Sequence, residues 1–214
     1  MAMLAPWTGG LAVASAALIA GFGPFPLLAR LRSDQTTWND DLWTPAGAMA
    51  AGLSVFALSG GFLGWRIGTE LGVAAACLSA MALIDLRYLV IPDLHVVMLG
   101  VVALAGPLSL AWTEAGVGAL IGGGLLFAVR ALFRWRTGRD ALGLGDIKLM
   151  LALGALCGPE AVLWSIVAAS ALGIGVGLVR NRLRLLGASV LPFGALAAGP
   201  ALAALAFIAV GATP

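Results

Sequence analysis

The chain is poor in charge. Of its 214 residues only 10% are Asp, Glu, Lys or Arg, while 61% are hydrophobic. A soluble domain has about a quarter of its residues charged, so a soluble globular fold is excluded and an all-α integral membrane protein is expected. No run of Lys and Arg of the kind that binds nucleic acid is present, so no nucleic-acid partner is expected. Histidine occurs once, at His95, and cysteine twice, at Cys77 and Cys157, both inside apolar runs and without a C-x-x-C spacing. That argues against a disulfide framework and against a Cys/His zinc site. The two thiols read instead as small buried hydrophobes. The opening residues, MAMLAPWTGG, contain no Lys or Arg, whereas a cleaved signal peptide starts with a basic segment. Arg30 and Arg32 follow the first apolar run instead, which predicts a retained first helix with its N-terminus outside.

What is abundant is apolar sequence cut by charge, Pro and Gly. A membrane-spanning helix needs about 20 mostly apolar residues. Eight runs approach this, near 8–29, 45–65, 69–86, 93–112, 114–133, 146–158, 160–179 and 189–210. Together they predict about eight transmembrane helices in a single membrane domain over 1–214, with both termini outside. Residues 1–66 hold the N-terminal helices and a short cytosolic loop at 30–44, and 67–214 form a core. Eight spans from an outside N-terminus place 11 of the 12 Lys and Arg residues in cytosolic segments, Arg66 being the exception. The positive-inside rule requires such a bias. The acids divide as well. All seven Asp fall in or beside cytosolic segments, and Glu70, Glu114 and Glu160 fall on the other side. Trp7, Trp65, Trp112, Trp135 and Trp164 lie near run ends, as in an interfacial aromatic belt. The glycines of GVGALIGGG in the fifth run let helices approach closely.

Two aspartates stand out. Asp85, in ALIDLRYLVIPD, closes the third run, and Asp146, in GLGDIKLM, opens the sixth. They are 61 positions apart, yet the topology puts both at one cytosolic depth. Ionisable groups at such positions face a bundle interior or a wet cavity. Two carboxyl groups held close do not both ionise readily, so they share a proton. The ionised partner then takes a proton from water and the protonated one donates to a carbonyl oxygen, as in aspartic proteases. The pair titrates as a unit, so acid and base are not assigned to one residue each. Gly143 and Gly145 give the turn before Asp146 access to unusual backbone angles and close approach. An Asp at a helix start is also favoured as an anion by the helix dipole. Lys148 serves either as an interfacial anchor or as a cation near an Asp. Asp93 has the position of an N-cap for the fourth helix. His95 reads as an interfacial residue, and Arg87 as a topology determinant.

IDLRYLVIPD, GLGDIKL and the later LPFG resemble the type IV prepilin peptidases, membrane aspartyl proteases of the GxGD type, over roughly residues 70–210. The resemblance implies that Asp85 and Asp146 are the catalytic pair, with Pro92 and Asp93 shaping the loop between them. It also implies a bacterial inner-membrane enzyme that cuts the basic leader from a prepilin or pseudopilin at the cytosolic face, so that the subunit joins a type IV pilus or a type II secretion pseudopilus. Larger family members carry two C-x-x-C pairs for zinc in the first cytosolic loop and methylate the new N-terminus with S-adenosylmethionine. Here that loop is RLRSDQTTWNDD, without Cys. No metal or cofactor is therefore expected, methylation is not expected, and the short form resembles the peptidase-only branch associated with tight-adherence pili. Two other readings fit parts of the pattern. A magnesium-dependent lipid-phosphate transferase could use Asp40, Asp41, Asp85 and Asp146. A proton-coupled carrier or assembly component could use intramembrane acids as a proton path.

Overall fold

The computed structural model describes residues 54, 58–59, 61–105, 110–140, 142–182 and 191–211. Every regular element among them is a helix: α1 Trp65–Tyr88, α2 Asp93–Ala105, α3 Trp112–Thr137, α4 Leu144–Arg182 and α5 Phe193–Gly211. The first run, the loop at 30–44 with Asp40 and Asp41, and most of the second run lie outside the described residues.

Among the described residues, three segments are long and apolar enough to cross a membrane by length and composition: Trp112–Thr137, Leu144–Val179 and Phe193–Gly211. The second of these is two helices in one. Gly158 takes φ 82°, ψ 176°, outside the helical region, and Pro159 follows. That backbone conformation is essentially confined to glycine, and Pro159 has no N–H to carry the helix ladder across the break.

The packing of α3 shows what the break does. Gly118 meets Gly154 before the break and Gly158 at it, and a Cβ at Gly122 would meet Met150 on one side and Val162 on the other. Advancing four residues along α3 thus moves four residues back along the first arm of α4 and four forward along the second. The first arm is antiparallel to α3, the second is parallel to it, and α4 is a hairpin with its tip at Gly158. Its arms match the separate sixth and seventh runs expected from sequence. Gly118 and Gly154 touch backbone to backbone, which any side chain would prevent, so the glycine run of α3 acts in helix packing.

α4 is the central element, set against α2, α3 and α5, while α1 lies on α5 and α2. The most deeply buried side chains are Leu71, Leu78 and Met81 of α1, Leu99 of α2, Leu149, Met150, Leu153 and Val162 of α4, and Leu202 and Leu205 of α5. α5 is the innermost of the three candidate spans, with 61% of its window buried against 22% for each of the other two. Its buried residues are mostly Ala and Gly, so its neighbours pack close to its axis. Large apolar side chains elsewhere point outward, among them Leu94, Val97 and Val101 on α2 and Leu120 and Phe127 on α3. In a bilayer such faces meet acyl chains. Trp112, Trp135 and Trp164 are all exposed, in keeping with the expected aromatic belt.

One boundary differs from expectation. α1 begins at Trp65 rather than near 69, following Gly64 at φ 89°. Glu70 therefore sits in the second turn of α1 and is buried at 5% exposure. α2 covers Asp93–Ala105 of the run at 93–112, and residues 106–109 lie outside the described residues. Cys77 and Cys157 are both free and buried.

Candidate active site

Asp85 lies in the last turn of α1, which ends three residues later at Tyr88. The helix stops because Leu89 adopts the left-handed conformation, φ 56°, ψ 37°, with its N–H donated to the Asp85 carbonyl at 3.0 Å. A side chain with a Cβ held there costs about 1–2 kcal/mol, and Leu89 is the one non-glycine residue with positive φ among those described. The chain then crosses through Val90, Ile91 and Pro92 to α2. Proline restricts Ile91 to an extended backbone, and the Pro92 carbonyl accepts the N–H of Val96 at 3.5 Å, opening the helix.

The Asp85 side chain is 4% exposed, and its Oδ2 accepts the backbone N–H of Ala195 at 3.1 Å. Ala195 is the third residue of α5, so its N–H is one of the four that have no partner within their own helix. Asp85 thus supplies from α1 the capping carboxylate that α5 lacks in its own sequence, and the α5 dipole favours negative charge there. Gly194 makes the contact possible: a Cβ on it would lie 2.9 Å from Ile91 Cδ1 and 3.1 Å from Asp85 Oδ2.

Asp146 is the third residue of α4, and its Oδ2 accepts the N–H of Gly143 at 3.2 Å. This is the backward half of a capping box, in which an acid in the first turn returns to the N-cap amide. Each carboxylate therefore lies at the positive end of a helix, Asp146 at its own and Asp85 at another. Ile91 joins the two. It is buried, and a Cβ on Gly145 would lie 3.0 Å from its Cβ, so one side chain wedges between the glycine turn of α4 and the start of α5. Gly143 and Gly145 have no positive φ; among the described residues the positive-φ glycines are Gly64, Gly138 and Gly158. The expectation of unusual backbone angles at this turn is thus corrected. What the structure uses at Gly145 is the missing side chain, and the group that approaches is Ile91 of this same chain.

Asp85 and Asp146 line one cavity of about 330 Å³, together with Leu89, Val90, Ile91, Asp93, Gly143, Leu144, Gly145, Lys148, Leu191 and Phe193. Pro92 does not line it; its part is to start α2. Lys148 Nζ lies 2.8 Å from Asp93 Oδ1, with the side chains 54% and 70% exposed. Asp93 is the first residue of α2, as its N-terminal position suggested, but its carboxylate turns to Lys148. His95 stands apart from the cavity, half-buried, with Nδ1 unpartnered. Among the described residues no group of three or more His, Cys, Asp or Glu is placed to hold a metal.

Sequence reasoning left several contributors without a role. Leu89 and Ile91 sit inside the quoted motif and Leu191 and Phe193 inside LPFG, yet none was assigned one. The Ala195 amide belongs to the backbone, and a backbone group leaves no trace in residue type.

Two acids, each received at a helix N-terminus and facing one cavity, can divide acid and base duties over a bound carbonyl. The family model for the type IV leader peptidase family matches residues 72–178, a segment that holds both, and the chain belongs to that family. It is similar to the prepilin leader peptidase/N-methyltransferase of Burkholderia pseudomallei strain 1026b, 37% identical over 164 residues, covering 73% of this chain and 50% of that one. The protein of the same name from Xanthomonas campestris pv. campestris is 36% identical over 138 residues, covering 61% and 47%. That from Pseudomonas aeruginosa is 33% identical over 136 residues, covering 60% and 47%. The chain spans about half the length of the curated relatives it matches. No solved structure matches it.

Proposed function

We propose that this chain is a membrane-embedded aspartyl endopeptidase that removes the leader from prepilins or pseudopilins at the cytosolic face of the bacterial inner membrane. The observation that carries the reading is that Asp85 and Asp146, 61 positions apart, line one cavity. The family membership and the relatives' names supply the substrate class. The site lies where α1 ends and α4 begins, so an eight-span topology with both termini outside puts it on the cytosolic side with the basic loops.

In the reaction the ionised carboxylate takes a proton from water as the water oxygen bonds to the scissile carbonyl carbon. The protonated carboxyl gives its proton to the carbonyl oxygen. The tetrahedral diol then collapses: the second carboxylate takes back a proton from one of its hydroxyls, the C–N bond breaks, and the nitrogen leaves as an amine with the proton held by the first carboxyl. The chemistry calls for two carboxyls and one water, and for neither a metal nor a cofactor. A cavity lined in part by Leu89, Val90, Ile91, Leu191 and Phe193 suits a chain whose apolar helix begins just past the cut.

The relatives' names include N-methyltransferase. We propose that this chain does not transfer a methyl group, because its first predicted cytosolic loop has no cysteine pairs.

The test is cleavage of a prepilin from the same genome, followed by mass. Asp85→Asn and Asp146→Asn should each lower the rate by about 10³-fold, the middle of the range for losing a general acid or base, while both variants accumulate in the membrane. Wild-type cleavage by either variant would remove the aspartyl mechanism. A product 14 Da heavier than the cut chain would overturn the absence of methylation, 14 Da being about the mass a methyl group adds. Loss of activity in chelator would favour the magnesium-dependent transferase chemistry instead.

A further inference from the structure

The turn that carries Asp146 is held from behind. Arg130, on α3, donates from Nη1 to the Leu142 carbonyl at 2.6 Å and from Nη2 to Asp140 Oδ2 at 2.8 Å. Its side chain is 13% exposed, and Arg134 lies 3.6 Å from the other oxygen of Asp140. The Leu142 carbonyl and the Gly143 N–H belong to one peptide unit, and the described residues contain no cis bond. In a planar trans peptide those two groups point in opposite directions. The carbonyl is therefore aimed at Arg130 while the N–H is aimed at Asp146 Oδ2, 3.2 Å away.

From this geometry we infer that Arg130 is a positioning residue for Asp146, acting through the Leu142–Gly143 peptide. A guanidinium bonded to the carbonyl fixes the plane of the amide and draws electron density from its nitrogen. Hydrogen bonds linked in this way strengthen one another, and the charged donor makes the first bond the stronger one. Asp140 completes the device by holding the second arm of the guanidinium fork, a planar geometry that Lys does not reproduce. The basic residues before α4 are thus more than topology signals, and the spacing from Arg130 to Gly143 sets the aim of the Asp146 carboxylate.

The inference rests on the proposed peptidase reading, and its test separates the two. Arg130→Met keeps the length and apolar stem of the side chain and removes both bonds. For this variant kcat should fall on the order of 10²-fold, as expected when a catalytic group is misplaced by about 1 Å, with KM little changed. An N–H donated to a carboxylate favours its ionised form, so the acid limb of the pH–rate profile should move to higher pH. The other charged groups lining the cavity are Asp85 of α1, Asp93 of α2 and Lys148 of α4, and α5 carries none. All of these are untouched in the variant. Arg130→Lys should recover part of the rate, and Asp140→Asn should lose less than Arg130→Met. Hydrogen exchange at the Gly143 amide, which needs no substrate, should quicken in Arg130→Met. Wild-type kcat, pH profile and Gly143 exchange in Arg130→Met would overturn the inference. So would a rate loss matched only by less folded protein, with the pH profile and the exchange unmoved. If the wild type does not cut prepilin, the peptidase reading falls, and Gly143 exchange alone then decides whether Arg130 holds the turn.

Discussion

Asp146 accepts its hydrogen bond from Gly143, three residues earlier, whereas Asp85 accepts from Ala195, 110 residues later. Asp146 sits on a half-open turn that its own helix start creates, and Asp85 is buried where three elements converge, α1, α5 and the Ile91 wedge. Both carboxylates end at a helix N-terminus, reached by local geometry in one case and by tertiary packing in the other. The local arrangement forms as soon as the helix does. The distant one forms only once α5 is seated, so the pair faces a common cavity only in the assembled bundle.

The comparison breaks most visibly at Gly194. A Cβ there would press on both Ile91 and Asp85, and all three residues are buried. Gly194→Ala should destabilise the protein by about 1–3 kcal/mol, as overpacking of a core does, read as a lower melting temperature in detergent. It should also slow cleavage on the order of 10²-fold by displacing a catalytic carboxylate. Adding Ile91→Val removes Cδ1, the nearest atom to that Cβ. The double variant should regain stability more than rate, because the contact with Asp85 Oδ2 remains. If Gly194→Ala melts and cuts like the wild type, α5 does not hold Asp85.

Gly143 is the matching position on the other side. A Cβ there would stand 3.1 Å from Asp146 Oδ2, as near as the one at Gly194 stands to Asp85. Gly143 is exposed and its φ is not positive, so the carboxylate has room to turn aside. Gly143→Ala should change stability by no more than about 0.5 kcal/mol, like most surface substitutions, and slow cleavage only a few-fold. Equal losses at Gly143 and Gly194, measured side by side, would show that the two carboxylates are held alike and that the contrast drawn from burial is wrong.

The same contrast explains what the sequence made legible. The Asp146 turn was readable because its parts are adjacent: glycines, an acid at a helix start and a following apolar run. The α4 hairpin was readable for the same reason, since CGPE concentrates a glycine and a proline at the point of reversal. Asp85 was readable as a candidate only by comparison with Asp146, and nothing local announced that α5 receives it. LPFG was recognised as a likeness without its work: Gly194 yields space and Ala195 offers an amide. The start of α1 at Trp65 was missed because it depends on Gly64, and a lone glycine does not mark a helix boundary strongly. Tertiary contacts of main-chain groups and small residues account for most of what was missed.

The smallest expected effect is at the link between the two halves of the site. Lys148 follows Asp146 by two positions and Asp93 follows the Asp85 loop, so their 2.8 Å ion pair ties the local arrangement to the distant one. Both side chains are more than half exposed, and an exposed pair contributes only about 0.2–1 kcal/mol. Lys148→Met and Asp93→Asn should each lower stability slightly. The double variant should cost less than the two single losses added together, by a coupling within that range. Added salt should shrink the coupling further, because solvent-exposed charges are screened. Cleavage should change less than in any glycine variant above, since neither substitution moves a carboxylate of the pair. A coupling of several kcal/mol, or a collapse of the rate in Lys148→Met with stability intact, would mean that the ion pair holds the cavity in shape. In that case the two carboxylates would owe their common cavity to this surface contact as well as to Ile91.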